Sequence, residues 1–528
     1  MSASIIFCSS LEKIFKHSPL PDKISSISVL KNEKANFQVV INSNENEKIK
    51  LRAELDLPYK IFTVNEVYAG NAIPKEHRSA EYLNNGESGY YPDLLKQADD
   101  IIEIKSGENT VLWVEITADK SGKHTISIND EKLDVFVAEQ EIEKQTLIHT
   151  DWFHTDCLST YYDIDVFSDK YWQIVENYMK NAVNHGVNMI LTPVFTPPLD
   201  TKVGGERPTV QLVDVSAENG KYSFRYTKLK KWVELALRCG VKYFEVSHLF
   251  TQWGAESAPK IMAKTQDGYK RIFGWETDAS GNEYKEFLRQ FSRSFKRFTD
   301  RNKITKLCYI HTSDEPSTEN LKSYKCASQI VQKYFSSFEQ IDALSHFEFF
   351  SEGLVKTPVP EEGNIEEFAG RVPKLWTYYC CGHFPNNLPN RLFAQPSIRN
   401  RILGTLLYKY NCVGFLHWGY NFYYSQYSVS PINPFEVTDA GGAFPAGDAF
   451  AVYPGENGMP MSSVRQKVFY DGFQDYAALQ TLEKLTSREY VLEFIKNELG
   501  EINFHTYSND IKVFEKYRNE LTKRITLF

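Results

Sequence analysis

The sequence predicts a multidomain α/β protein, with an N-terminal β-sandwich over 1–142 and a (β/α)8 TIM-like barrel over 143–528 that ends in a helical segment. Three observations predict it: strand-period alternation through the N-terminal part, a change near "TLIHTDWF" to apolar strand followed by amphipathic helix, and eight candidate strands in the second rhythm.

The N-terminal strands are "ANFQVVINS", "IKLRAELDL", "TVLWVEITA", "HTISIND" and "KLDVFVAE", each alternating apolar and polar between Asn, Gly, Asp and Lys turns. Barrel strands are expected at 146–153, 187–195, 242–250, 306–313, 345–350, 374–380, 413–418 and 449–453, and eight is the number such a barrel requires. Between them, 169–185 carries Trp172, Val175, Met179 and Val183 on one helical stripe and stops at Gly186, while 229–239 stops at Gly240. "TVQLVDVSAENGKYSFRYT" reads as a hairpin around Glu-Asn-Gly, inserted in the second βα loop. From Ser462 onward the pattern is helical and is expected to close the barrel.

At 528 residues the chain can bury more than one core, and 42% hydrophobic with 24% charged residues is a globular composition. A net charge of -8 supplies no electrostatic footprint for nucleic acid or anionic lipid, so neither is expected as a partner. The start, MSASIIFCSSLEKIF, lacks the basic and apolar regions of a secretion signal, and the expected location is cytoplasmic. The eight cysteines show no CxxC spacing and read as reduced, buried thiols. His154 near Asp156 lacks the spacing of a metal triad, and neither metal nor cofactor is expected.

"HTSDEPS" (311–317) falls at the C-terminal end of the fourth strand, where barrel enzymes keep their reacting groups. Side chains alternate along a strand, so Asp314 and Glu315 can share a cavity only where the strand has ended. Pro316 is expected to end it, by holding Glu315 extended and lacking an N–H, and Ser317 to cap the next helix. Alone, Asp-Glu-Pro is more often a bare helix start, with acids favoured by the macrodipole; placement at a strand end shifts the balance away from that reading. At a strand end, two carboxyls this close cannot ionise equally; a protonated Glu beside an ionised Asp suits the splitting of an acetal. Other strand ends carry Trp152 and His154, His248 and Trp253, Trp376 and Tyr378, and Trp418 and Asn421. Rings that stack on C–H faces, together with neutral hydrogen-bonders, suit a sugar, although any one of these aromatics could equally fill the core.

These residues resemble glycoside hydrolase family 123, on "HTSDEPS", "YFEVSHLFTQWGA", "LWTYYCC", "GFLHWGYN" and "PAGDAFAVYPG…SSVRQKVFYDGFQDY", in that order from about Asn36 to Leu479. The resemblance implies a β-sandwich before a (β/α)8 catalytic domain, and an exo-acting β-N-acetylgalactosaminidase whose partner is a glycan with terminal β-linked N-acetylgalactosamine. It implies substrate-assisted, retaining catalysis: Glu315 protonates the leaving oxygen while Asp314 holds the 2-acetamido group as it attacks its own anomeric carbon. By the same carry-over Tyr378 bonds the acetamido carbonyl, and Trp418 or Trp376 walls the pocket. The doubled Tyr and Cys of "TYYCC" depart from the family pattern, so Tyr379 is an alternative to Tyr378. The absent signal segment also departs, and suggests imported oligosaccharides. Two other readings stand beside this one: a retaining glycosidase with a separate carboxylate nucleophile such as Glu245, and a non-catalytic carbohydrate-binding protein.

Overall fold

The computed structural model describes residues 3–528. Alternation in the N-terminal part turns Phe37, Val39 and Ile41 of strand Lys34–Asn42, and Leu112, Val114 and Ile116 of Asn109–Thr117, to one face of a five-stranded sheet. They pack against Ile126, Ile128, Val135 and Val137 of a four-stranded sheet, so a dry two-sheet core forms without help from the barrel.

Eight parallel strands follow, in order Ile148–Asp151, Met189–Thr192, Tyr243–Val246, Cys308–Ile310, Glu339–Ala343, Thr357–Val359, Leu375–Tyr378 and Cys412–His417. The first six lie side by side in chain order, the eighth pairs with the first and the seventh with the eighth. The remaining seam, between sixth and seventh, is bridged where the Tyr378 N–H donates to the Pro360 carbonyl (3.0 Å). The sheet is thus a nearly closed barrel, filled by Met189, Leu191, Tyr309, Ile341, Val359 and Leu416.

Two expected strands are displaced. Residues 345–350 are loop and the start of a one-turn helix (Glu348–Ser351), and the fifth strand is the preceding "EQIDA". Within 449–453, Val452 and Tyr453 pair antiparallel with Pro460–Ser462 outside the barrel, and the missing strand is "TPV". The helical layer is less regular than a (β/α)8 repeat, because only the one-turn helix follows the fifth strand and a 3-10 helix (Glu362–Glu367) the sixth.

Elsewhere the local signals hold. Helix Asp169–Asn184 starts on the Ser168 hydroxyl, and helix Thr227–Cys239 ends at Gly240 with φ 102°. The hairpin is Asp214–Glu218 with Lys221–Arg225, and it gains a second hairpin (Ile261–Thr265, Gly268–Phe273) from the loop after the third strand. Helix Val464–Leu485 is buried almost all round because it lies between barrel and sandwich. Arg465 pairs with Asp93 (2.9 Å), and Lys467 with Glu115 (2.7 Å), across that junction.

Candidate active site

The chain leaves the fourth strand at His311 and is held on both sides. The Phe250 N–H donates to the Thr312 carbonyl (3.1 Å), the Trp253 N–H to the Asp314 carbonyl (2.9 Å), and the Glu315 N–H to the Ala343 carbonyl (3.0 Å). Glu315 is not extended: its φ is +42°. The steric bias of the following proline is overridden by the tether to Ala343, and the left-handed residue breaks the strand alternation so that both acids line one cavity. Such a residue costs on the order of 1 kcal/mol and persists only where its surroundings fix it. Ser317 then stands before the 3-10 turn Thr318–Asn320, its hydroxyl donating to Asn320 Oδ1 (3.0 Å).

The Tyr378 hydroxyl donates to Glu315 Oε1 (2.6 Å). Tyr379 points the other way, fully buried against Phe415, Phe469 and His417, so the cavity tyrosine is Tyr378. Burial, and then the neighbouring charge of Glu315, pushes the Asp314 carboxyl well above the usual range. The sequence reading expects the raised carboxyl at Glu315; the raised one here is Asp314.

Beneath the acids lies a layer the sequence reading missed. His311 sits between Glu245 (Nε2 to Oε1, 2.6 Å) and Asp342 (Nδ1 to Oδ1, 3.3 Å). Burial would lower its pKa, but its bonds and charge interactions with the two carboxylates outweigh that and raise it to about 9. Asp342 also accepts the Thr312 N–H (2.8 Å) and the Tyr324 hydroxyl (2.5 Å), which fixes the turn that carries the acids. Glu245 accepts from His311, from the Trp152 indole (2.8 Å) and from the Thr150 hydroxyl, is wholly buried, and does not line the cavity. Its two oxygens are thus taken up by donors of the barrel interior.

The structure brings Trp152, Trp253, Tyr378 and Trp418 to the cavity with Asp314 and Glu315. Trp418 is held by Asp448, which accepts its indole N–H (2.8 Å). Four other expected contacts lie off the cavity. Trp376 fills the barrel interior, its indole lying where a side chain on Gly414 would go. The Asn421 side chain accepts the His154 N–H (2.8 Å) and donates to the His154 carbonyl (3.1 Å), and His154 Nε2 donates to the Trp418 carbonyl (2.8 Å), so both splice the loops after the first and eighth strands. His248 is buried against His311 and Trp152. Asp156 is spent on Arg207 (2.7 Å). Cys380 and Cys381, read as buried thiols, are half-buried and line the cavity, with Cys380 Sγ 3.9 Å from Glu315 Oε1. Asp200, Gln252 and Tyr427 also line the cavity; Gln252 belongs to the "YFEVSHLFTQWGA" stretch, while Asp200 and Tyr427 come from loops with no motif to mark them.

A carboxyl pair with aromatic walls, at the C-terminal mouth of a parallel barrel, defines a carbohydrate-processing site. The family description "Glycoside hydrolase 123, catalytic domain" matches residues 152–482, and the chain belongs to that family and is a glycosidase. Over 100% of this chain and 98% of the other, the structure is similar to a family 123 glycoside hydrolase from Clostridium perfringens, studied for glycolipid glycan hydrolysis (15% identity, TM-score 0.72). Weaker similarities are to a putative beta-galactosidase from Bacteroides fragilis (9% identity, 89% and 60% covered, TM-score 0.34) and a GH2 beta-galacturonidase from Eisenbergiella tayi (10%, 84% and 69%, 0.34). Comparison with curated proteins gives no match. Among the described residues no helix is long and apolar enough to cross a membrane.

Proposed function

We propose that this glycosidase removes terminal β-linked N-acetylgalactosamine with retention of configuration, using the substrate's own 2-acetamido group as nucleophile. The observation that carries the reading is that Asp314 and Glu315 open on one cavity while Glu245 is locked in the barrel interior. Of the other carboxylates, Asp200 also lines the cavity, but its Oδ2 accepts the Tyr427 N–H at the rim (2.9 Å). The arrangement thus supplies an acid and a partner for an amide N–H, with no spare carboxylate placed for attack.

The proton held by the pair is the working proton. Burial and the neighbouring charge of Glu315 make the Asp314 carboxyl hard to ionise, so Asp314 starts with that proton. An acetamido N–H brought to Asp314 favours the carboxylate there, so the proton passes to Glu315, which delivers it to the glycosidic oxygen as that bond breaks. The acetamido oxygen closes on the anomeric carbon, and Asp314 stabilises the positive charge growing on nitrogen. Attack within one molecule is favoured by effective molarities of roughly 10^5–10^8 M. Tyr378, whose hydroxyl donates to Glu315, turns that hydroxyl to the acetamido carbonyl when the substrate binds. Glu315, now a carboxylate, takes a proton from the water that reopens the ring, and the pair regains its starting proton. Two inversions at one carbon leave the β-anomer.

The test is product stereochemistry with inhibition. Proton NMR of early product is expected to show the β-anomer, and a thiazoline analogue of the bicyclic intermediate to inhibit competitively and strongly. An α-product, or a glycosyl ester trapped on any carboxylate, would overturn the reading.

A further inference from the structure

The cavity is closed at one end and open at the other. Its inner end is formed by Trp152, Leu416 and Tyr378, all nearly buried, whereas its mouth carries Trp253 and Tyr427, 42% and 41% exposed. A terminal sugar enters such a cavity head first, and the unit it is cleaved from stays at the mouth. The two exposed rings stand edge to face there, with centroids 5.8 Å apart and planes at 88°. They form a corner with one wall for the apolar face of a second ring.

The corner is built and not incidental. Trp253 follows the third strand and Tyr427 the eighth, and both have left-handed backbones (φ 57° and 59°), which an aromatic residue adopts only when its surroundings impose it. Asp200, on the loop after the second strand, bonds to both loops. Its N–H donates to Gln252 Oε1 (2.7 Å), beside Trp253, and its carboxylate accepts the Tyr427 N–H (2.9 Å). Its carbonyl accepts the Ser428 hydroxyl (2.7 Å). One residue thus ties both aromatic loops together. The Trp253 N–H meanwhile holds the Asp314 carbonyl (2.9 Å), so the corner is in fixed register with the reacting acids.

We propose that Trp253 and Tyr427 bind the sugar unit that carries the cleaved residue, a neutral hexose ring, and that Asp200 is the positioning residue that sets the two rings. The inference rests on the glycosidase reading above and extends it to the leaving-group side.

The test compares two substrates with alkoxide leaving groups of similar basicity: methyl β-N-acetylgalactosaminide and a disaccharide of the same sugar β-linked to a neutral hexose. Wild type is expected to prefer the disaccharide about tenfold or more in kcat/KM. In Tyr427→Ala and Trp253→Ala that preference is expected to fall about tenfold, the scale of one lost stacking contact. Asp200→Ala should raise KM for the disaccharide more than for the methyl glycoside, and Asp200→Asn, which keeps a carbonyl acceptor, should restore the preference. Equal losses on both substrates, or no wild-type preference, would overturn the subsite while leaving the hydrolytic reading intact. If wild type cleaves neither, the hydrolytic reading has failed. Titration calorimetry of the intact disaccharide against wild type and Tyr427→Ala then decides the subsite by itself, a tenfold weaker Kd supporting it and an unchanged one overturning it.

Discussion

At the scale of single residues, the most informative position is Glu315. "DEP" marked it, because two acids and a proline at a strand end are hard to explain otherwise, but the physical device is not the extended geometry that proline favours; it is a left-handed turn anchored on the Ala343 carbonyl. That anchor is 28 residues away in the chain, and local steric rules carry no information about it. The same distance problem hides Asp342 and Asp200, each a lone acid in an unremarkable stretch, and makes Trp376 indistinguishable in sequence from a pocket wall, although in the fold Gly414 lies beneath it. Glu315→Gln is expected to fold normally and to lose roughly 10^2–10^4-fold in kcat on glycosides with poor leaving groups. The loss should shrink on aryl glycosides whose leaving groups need little protonation. A Brønsted series across leaving groups checks this, and an equal loss throughout would remove Glu315 from the role of acid.

At the scale of elements, long periodic segments were legible: helix Asp169–Asn184, the hairpin at Asn219-Gly220, helix Val464–Leu485 and six of the barrel strands lie where periodicity put them. The two strands that were misplaced are the ones periodicity cannot see. "EQIDA" is short and half polar because Asp342 must reach His311, and "TPV" is three residues with a proline. Glu245 shows how an element's interior can mimic a site. From the sequence it was a carboxylate near a strand end; in the barrel it is the acceptor that orders the first, third and fourth strands through Thr150, Trp152 and His311. Glu245→Ala would leave His311 with one carboxylate and two donors unpaired, and is expected to cost roughly 3–5 kcal/mol of stability. Denaturant unfolding checks this. A stable variant that is catalytically dead, and rescued by azide through formation of a glycosyl azide, would instead make Glu245 a nucleophile.

At the scale of the whole molecule, the sandwich is fastened to the barrel through helix Val464–Leu485, and part of that fastening is sensitive to pH. Asp471 on this helix accepts from Asn36 of the sandwich (2.7 Å), and burial, only partly offset by Arg401, raises its pKa to about 7. The folded state therefore holds a proton that the unfolded chain has released above about pH 4, so this contribution to stability is present at acid pH and is lost as pH rises through 7. Asp471→Asn mimics the protonated acid and keeps the acceptor. It is expected to be more stable than wild type at pH 8 by about 1 kcal/mol or more, with the difference vanishing near pH 4. Thermal midpoints of both proteins across that range check the sign, and a variant equally destabilised at both ends would show that the charge at Asp471 is needed.

The proposed reaction rests on the acid pair and the anchored Glu245 taken together, and it turns on the substrate's acetamide. The most direct measurement is kcat/KM for two aryl β-galactosides with the same leaving group, one carrying the 2-acetamido group and one a 2-hydroxyl. If the acetamide is the nucleophile, the acetamido substrate is cleaved and the hydroxyl substrate is essentially inert, by a margin far beyond what the lost contacts with Asp314 and Tyr378 would remove. Comparable turnover of the 2-hydroxy substrate would contradict the account, because the enzyme would then have to supply a nucleophile that this cavity does not offer.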